Sequence, residues 1–190
     1  MKKLLLFSLL FVVVGFSLSI NPSFAQTDSP TQSADIFITQ PATVSSQVNY
    51  TLAYPGLLPD SPLYFLKALR DRVVSLLINN AVKQSQFNLL TSDKRINAAT
   101  MLVAKGKDDL AITTISKSNN YFSEAITATN KAYSQNKNNA WLYGNLKTAI
   151  KKHEEVMHDM QKSLSKKHAQ EYDNELNRMK NFENIVSKRT

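Results

Sequence analysis

The chain has 190 residues, no cysteine, four glycines and a formal net charge of +8. Without cysteine it has neither disulfide bonds nor a thiolate nucleophile, so its core must hold it together. Four glycines are too few for a loop that cradles phosphate groups. The positive charge is spread along the chain, which favours loose attraction to acidic surfaces and gives no sign of a nucleic-acid groove.

The first 25 residues have the three parts of a signal peptide. Two lysines are followed by an apolar run over residues 4–20, and small residues precede a cleavage site between Ala25 and Gln26. The pattern predicts a secreted or periplasmic protein from which residues 1–25 are removed. The apolar run is also long enough to allow an alternative, an uncleaved membrane anchor, which would then be the protein's only link to the membrane.

The next segment, residues 26–49, is rich in Thr, Ser, Gln and Pro and contains few apolar residues. Such a segment cannot bury enough surface to offset its conformational entropy, so it predicts a disordered linker. The folded domain is expected over residues 50–190.

That domain opens with an arm rich in Pro and Tyr over residues 50–60. We expect the arm to pack on the rest of the domain, because its exposed tyrosines and leucines would form an apolar patch. Asp60 or Ser61 is expected to cap a first helix from Pro62 to about Asn79. This helix is predicted to be the most deeply buried, because its apolar residues recur at helical spacing. They include Leu66, Leu69, Val73, Leu76 and Leu77.

Apolar residues spaced three and four positions apart predict the helices that follow. Gly106 suits a left-handed cap at the end of the second helix. A boundary at Ser165 is predicted to separate the last two helices, and one continuous helix is the alternative. No stretch alternates apolar and polar residues, so the fold class is all-α, a bundle of four or five amphipathic helices with an extended N-terminal arm. The predicted helices run from about Ala81 to Lys105, from Asp108 or a neighbour to the Asn-rich stretch at Asn136–Asn139, from near Ala140 to Leu164, and from the boundary at Ser165–His168 to about Ser187.

The opening of this domain is similar to that of a known family. Residues 55–67, Pro-Gly-Leu-Leu-Pro-Asp-Ser-Pro-Leu-Tyr-Phe-Leu-Lys, followed by Lys94-Arg95, resemble the bacterial family catalogued as domain of unknown function 5667. The resemblance implies an exported or membrane-associated helical domain over about residues 50–160, and it implies no activity. After the Lys-Arg pair the family usually places an acidic residue, whereas this chain has Asn97 and Ala98.

Three histidines are the candidates for metal binding. His153 and His158 are five residues apart, about 140° round a helix, whereas the zinc-protease helix needs histidines four apart. His153, Met157 and Met160 share a helix face and offer imidazole and thioether ligands suited to Cu(I). Methionines at such positions ordinarily fill the core, so neither a metal site nor a cofactor is expected.

No arrangement of residues points to catalysis. The serines lie in polar loops or at helix boundaries, and no Gly-x-Ser-x-Gly motif is present. The acidic pairs Asp108-Asp109 and Glu154-Glu155 are sequence neighbours rather than carboxylates that face each other across a cleft. We therefore expect a protein that is not an enzyme. The candidates for a binding surface are aromatic residues: Tyr54, Tyr64, Trp141 and Tyr143.

The sequence thus predicts an exported, non-enzymatic helical domain that binds an envelope protein or an acidic surface polymer. Nucleic acid is not expected among its partners, and the pattern does not reveal its oligomeric state. One alternative is a periplasmic-type holdase chaperone or stress sensor, which would need a concave apolar surface. Another is a copper-binding module built on the His153 face.

Overall fold

The computed structural model describes residues 48–189. The predicted signal peptide, its cleavage site at Ala25 and Gln26, and nearly all of the predicted linker lie outside these residues. The described part of the chain contains five α-helices and no strand, which confirms the all-α prediction. The helices are α1 (Tyr64–Leu77), α2 (Ala81–Ala104), α3 (Asp108–Gln135), α4 (Trp141–Gln161) and α5 (Ala169–Ser187).

Helices α2 to α5 form a four-helix bundle. Helices α2 and α3 share the longest contact, α4 packs on α2, and α5 packs on both α4 and α3. The predicted break between the last two helices is confirmed, since a single 3-10 turn at Lys166–His168 separates them. The core between the four helices is apolar and closely packed. Its fully buried members include Ile96, Leu102, Ile115, Phe122, Leu146, Ile150, Met157 and Met179.

Small polar side chains allow α2 and α3 to approach closely. The Ser92 hydroxyl donates to the Ser118 carbonyl at 2.9 Å, and the Ser118 hydroxyl donates to the Ser92 carbonyl at 2.8 Å. Further along, the hydroxyls of Ser85 and Thr129 lie 2.6 Å apart. Because each of these four hydroxyls finds a partner, none of them carries an unpaired desolvation cost.

The turn between α2 and α3 depends on Gly106. Its φ is +67°, and the Lys107 N–H donates to the Leu102 carbonyl while the Gly106 N–H donates to the Val103 carbonyl. This is the hydrogen-bond pattern of a Schellman motif, which needs a left-handed residue at this position. The predicted C-cap is confirmed.

Replacing Gly106 with alanine is expected to lower the free energy of unfolding by about 1 kcal/mol, because an L-residue is strained at positive φ. Gly144 in α4 is the matched control, since a Cβ there would meet no neighbouring atom within 4 Å and the backbone is helical. Alanine at 144 is expected to raise the free energy of unfolding by about 0.5–1 kcal/mol. Urea unfolding measures both variants, and changes of equal sign would contradict this explanation of the turn.

The prediction that α1 is the most deeply buried helix is wrong. None of its residues is buried, although α2, α3, α4 and α5 each bury at least five. The spacing of apolar residues shows that one side of a helix is apolar, and it does not show on which side the bundle lies. Four helices already enclose the core here, and α1 is placed outside it.

None of the helices over residues 48–189 is long and apolar enough to span a membrane.

Candidate docking helix

Helix α1 turns its polar side to the bundle and its apolar side to solvent. The side chains on the bundle side are half-buried: Tyr64, Lys67, Ala68, Asp71 and Ser75. At 100° per residue, six apolar side chains fall within about 120° on the opposite side. We call this the outward face, and its side chains are 48% to 76% exposed: Phe65, Leu66, Leu69, Val73, Leu76 and Leu77.

Two arginines border the outward face. At 100° per residue, Arg72 lies next to Phe65 on one side and Arg70 lies next to Leu77 on the other. Both arginines are exposed, and Arg70 pairs with Asp71 at 2.7 Å. The outward face is therefore an apolar strip with a cation on each edge.

Polar contacts fix this orientation of α1. The Arg95 guanidinium on α2 donates to the Tyr64 hydroxyl at 2.7 Å and lies 4.7 Å from the centre of the Tyr121 ring. The Lys67 ammonium donates to the carbonyl of Pro55 and, at 3.0 Å, to that of Leu57. Turning α1 to bury its apolar side would break these bonds, so the arrangement is held by specific contacts.

The arm before α1 is attached to the bundle at several points. The Val48 N–H donates to Glu155 at 3.0 Å, and the Asn97 amide donates to the Ala53 carbonyl at 3.1 Å. Tyr50 and Leu52 pack against the core, whereas Tyr54 is 74% exposed. A carboxylate in place of the Asn97 amide has no proton to donate to the arm.

The predicted capping of α1 by Asp60 or Ser61 is wrong. Residue Leu63 is at the N-cap, and no side chain caps the helix there. The Asp60 carboxylate instead accepts from Lys105 at 3.0 Å and from Lys107 at 2.9 Å, at the far end of α2. The turn before α1 is therefore tied to the α2–α3 turn.

Low pH is expected to break the ion pairs between Asp60 and the two lysines. The bonds from Lys107 and Lys105 hold the pKa of Asp60 below its ordinary 3.8. Because the folded pKa is the lower one, the contribution to stability is complete above the unfolded pKa of about 4 and is lost as pH falls through the folded value. The difference in unfolding free energy between the native chain and Asp60→Asn should be constant from pH 5 to 8 and should shrink below pH 3.8. A difference that grows in acid would contradict the ion pairs.

A buried polar triad joins the arm to two helices. The Tyr50 hydroxyl donates to Asp93 Oδ2 at 2.5 Å, and His153 Nε2 lies 2.7 Å from Asp93 Oδ1. Asp93 on α2 is 4% exposed and His153 on α4 is fully buried. Burial raises the pKa of the Tyr50 hydroxyl, and the bond to Asp93 raises it further, so the tyrosine stays a donor.

Asp93 and His153 are residue types that form general-base pairs in enzymes. Here, however, they are placed where no substrate can reach them. His153 is buried from solvent, and its ring packs in a T-shaped arrangement with that of Phe122, with 5.3 Å between ring centres. The Nδ1 atom has no hydrogen-bond partner, so the ring is held through Nε2 at Asp93. The arrangement links the arm, α2 and α4 through one carboxylate.

The contacts of His153 also concern the alternative prediction that His153, Met157 and Met160 bind copper. One ring nitrogen of His153 is engaged by Asp93, and Met157 and Met160 are buried members of the core. Among residues 48–189, no group of three or more His, Asp or Glu side chains is placed to hold a metal ion.

The aromatic candidates for a binding surface are scattered. Tyr54 and Trp141 are exposed, and Tyr64 is half-buried on the bundle side of α1. Tyr143 is buried, and its hydroxyl donates to Asn130 at 2.7 Å, so it contributes nothing to a surface. These four residues do not form one site, and the contiguous exposed apolar surface is the outward face of α1 instead.

An open groove of about 400 Å³ lies beside α1, between it and helices α2 and α3. Its cationic lining consists of Arg72, Arg95 and Lys117. The ammonium of Lys67 lies in the same neighbourhood, and its pKa is lowered first by burial and then by the nearby Arg95, Lys94 and Arg70, against the opposing effect of Asp71. The groove beside the Arg72 edge of the outward face is therefore positively charged.

Comparison with known proteins identifies one family. The family model described as domain of unknown function (DUF5667) matches residues 56–189, which include all five helices and the turn at Gly56. The match extends well beyond residue 160, where the resemblance in the sequence was expected to end. No curated protein and no solved structure matches the chain.

Proposed function

Since the chain belongs to the DUF5667 family, whose description gives no activity, we propose that it is a non-enzymatic binding domain of the cell envelope. The outward face of α1 is its docking surface. The predicted signal peptide over residues 1–25 supports a location outside the cytoplasm.

One observation carries the proposal: α1 presents six apolar side chains to solvent while its polar side is bonded to the bundle. Soluble proteins seldom expose a contiguous apolar patch unless it meets a partner. Here the polar anchors Tyr64 and Lys67 keep the patch outward, so it does not serve the protein's own core.

The absence of catalysis is part of the proposal. Asp93 and His153 have the chemistry of an acid–base pair, but they are buried, and the Asp93 carboxylate is occupied by two donors. A general base must reach the proton that it removes. The pair is better explained as the attachment of the arm.

The experiment is co-sedimentation of the chain from Gln26 onward with isolated cell envelopes. This chain retains every residue that the structure describes, 48–189. Leu66→Glu with Val73→Glu places two charges on the outward face and is expected to weaken binding at least tenfold. The matched control is Leu90→Glu with Ile185→Glu, two positions on α2 and α5 that are each 45% exposed.

The control variant should bind like the native chain. Equal loss in both variants, or no loss in either, would refute docking through α1. Far-UV circular dichroism checks that both variants keep their helices, and we expect no change, since all four positions are exposed.

The outward face also favours a second candidate, a holdase that binds unfolded clients. The apolar surface is a convex strip on one helix rather than the concave surface that such a chaperone was expected to have. Suppression of aggregation of a denatured enzyme tests it. Suppression that is lost in the Leu66→Glu, Val73→Glu variant, with no envelope binding by the native chain, would favour the holdase. Copper binding is not proposed, because His153, Met157 and Met160 are all buried in the core.

A further inference from the structure

The outward face has a shape and charge pattern that point to one kind of partner. We infer that α1 docks on the surface of an anionic lipid bilayer and lies parallel to the membrane plane. This inference rests on the proposed docking function. Its apolar strip enters the boundary between headgroups and acyl chains, and the bordering arginines meet lipid phosphates.

The size of the outward face favours a membrane over a protein partner. The outward face offers six apolar side chains and two arginines on one helix of 14 residues. A stable protein interface, including one with a second copy of this chain, involves about 20–30 residues on each side. A bilayer demands no shape complementarity, and an isolated apolar strip is sufficient for interfacial binding.

The length of α1 also excludes a spanning role. A helix must be about 30 Å long to cross the hydrocarbon core, and α1 is about 21 Å long. Moreover, its polar side is bonded to Arg95 and to the carbonyls of the arm. A helix with one apolar side and one fixed polar side lies on a membrane rather than through it.

The positive charges beside the outward face favour a membrane with anionic lipids. Arg70 and Arg72 border the strip, where their long side chains reach the headgroups while the strip is inserted. Arg95 and Lys117 line the groove that adjoins Arg72. Cations at such a surface are attracted by anionic lipids within a Debye length.

The test is co-sedimentation of the chain from Gln26 onward with vesicles. One set contains phosphatidylcholine alone, and the other contains phosphatidylcholine with phosphatidylglycerol. The native chain is expected to bind the anionic vesicles at least tenfold more tightly, and the preference should fall at high salt. Leu66→Glu with Val73→Glu should weaken binding to anionic vesicles by about 30-fold or more, whereas Leu90→Glu with Ile185→Glu should not.

A second pair of variants separates local charge from net charge. Arg70→Gln with Arg72→Gln is expected to weaken binding to anionic vesicles by about 30-fold. Lys151→Gln with Lys188→Gln removes the same charge from exposed positions on α4 and beyond α5, and it should change binding by less than about threefold. Equal losses in both variants would overturn the inference that α1 faces the bilayer.

The outcomes distinguish this inference from the proposed function. If the native chain binds envelopes through the outward face but does not bind anionic vesicles, the lipid inference fails and docking on an envelope protein stands. If it binds neither, both fail. A vesicle-free dimer that the Leu66→Glu, Val73→Glu variant abolishes would show that a second copy occupies the face, which also overturns the lipid inference.

Discussion

Replacing Asp93 with alanine is expected to lower the free energy of unfolding by about 3 kcal/mol. The substitution leaves the Tyr50 hydroxyl and the His153 ring without their shared acceptor in a buried site. Stranding buried polar groups costs more than the net value of the bonds that held them. Urea unfolding followed by circular dichroism measures the loss.

The control for this prediction is Asp173→Ala on α5. Asp173 is exposed and accepts one bond from Gln161 at 3.1 Å, so its loss should change stability by no more than about 0.5 kcal/mol. If Asp93→Ala does not fold, Tyr50→Phe removes only one hydroxyl and should cost about 1 kcal/mol. A native-like stability of both Asp93→Ala and Tyr50→Phe would contradict the role given to the triad.

Replacing Phe122 with alanine is expected to cost about 4 kcal/mol, the largest effect predicted for a core residue here. The ring is fully buried, is stacked on Phe182 with 5.6 Å between ring centres, and packs in a T-shaped arrangement with His153 with 5.3 Å between ring centres. Its removal leaves a cavity between α3, α4 and α5 that these helices fill only by moving together.

Phe65→Ala is the matched control on α1. Phe65 is 63% exposed on the outward face, so truncation should change the free energy of unfolding by no more than about 0.5 kcal/mol. The two variants remove the same atoms and separate the core from the docking surface. A large loss of stability from Phe65→Ala would show that α1 packs its apolar side inward in solution.

The helices of the bundle were predictable because their signals are local. Gly106 marks the end of α2, and the Asn-rich stretch before Trp141 marks the start of α4. Along α4, residues spaced alternately four and three apart form one buried seam, as this spacing predicts: Leu146, Ile150, His153, Met157 and Met160. Each of these features depends on neighbours within one or two helical turns, which a sequence shows directly.

The placement of α1 was not predictable in this way. Periodicity fixes the angular width of an apolar face, but the direction of that face depends on partners far along the chain. Arg95, 31 residues beyond Tyr64, holds the polar side inward. The carbonyls of Pro55 and Leu57, which the sequence pattern does not single out as acceptors, hold Lys67.

The triad was missed, although a signal for it exists. Asp93 lies on α2 four residues after Leu89 and three before Ile96, within the apolar stripe. His153 occupies a seam position of α4 in the same way. A carboxylate and an imidazole that both lie in buried stripes need partners, and pairing them with each other is the simplest solution. The third member, Tyr50, could not be predicted in this way, because the arm has no helical spacing that would show which of its residues are buried.

The central claim is that the outward face of α1 is the docking surface, and one fluorescence measurement tests it most directly. The chain has no cysteine, so Val73→Cys and Leu90→Cys each accept a single environment-sensitive dye. The two positions are 48% and 45% exposed. On addition of cell envelopes, we predict a blue shift of the dye at 73 and none at 90. An unchanged spectrum at 73, or equal shifts at both positions, would contradict docking through α1.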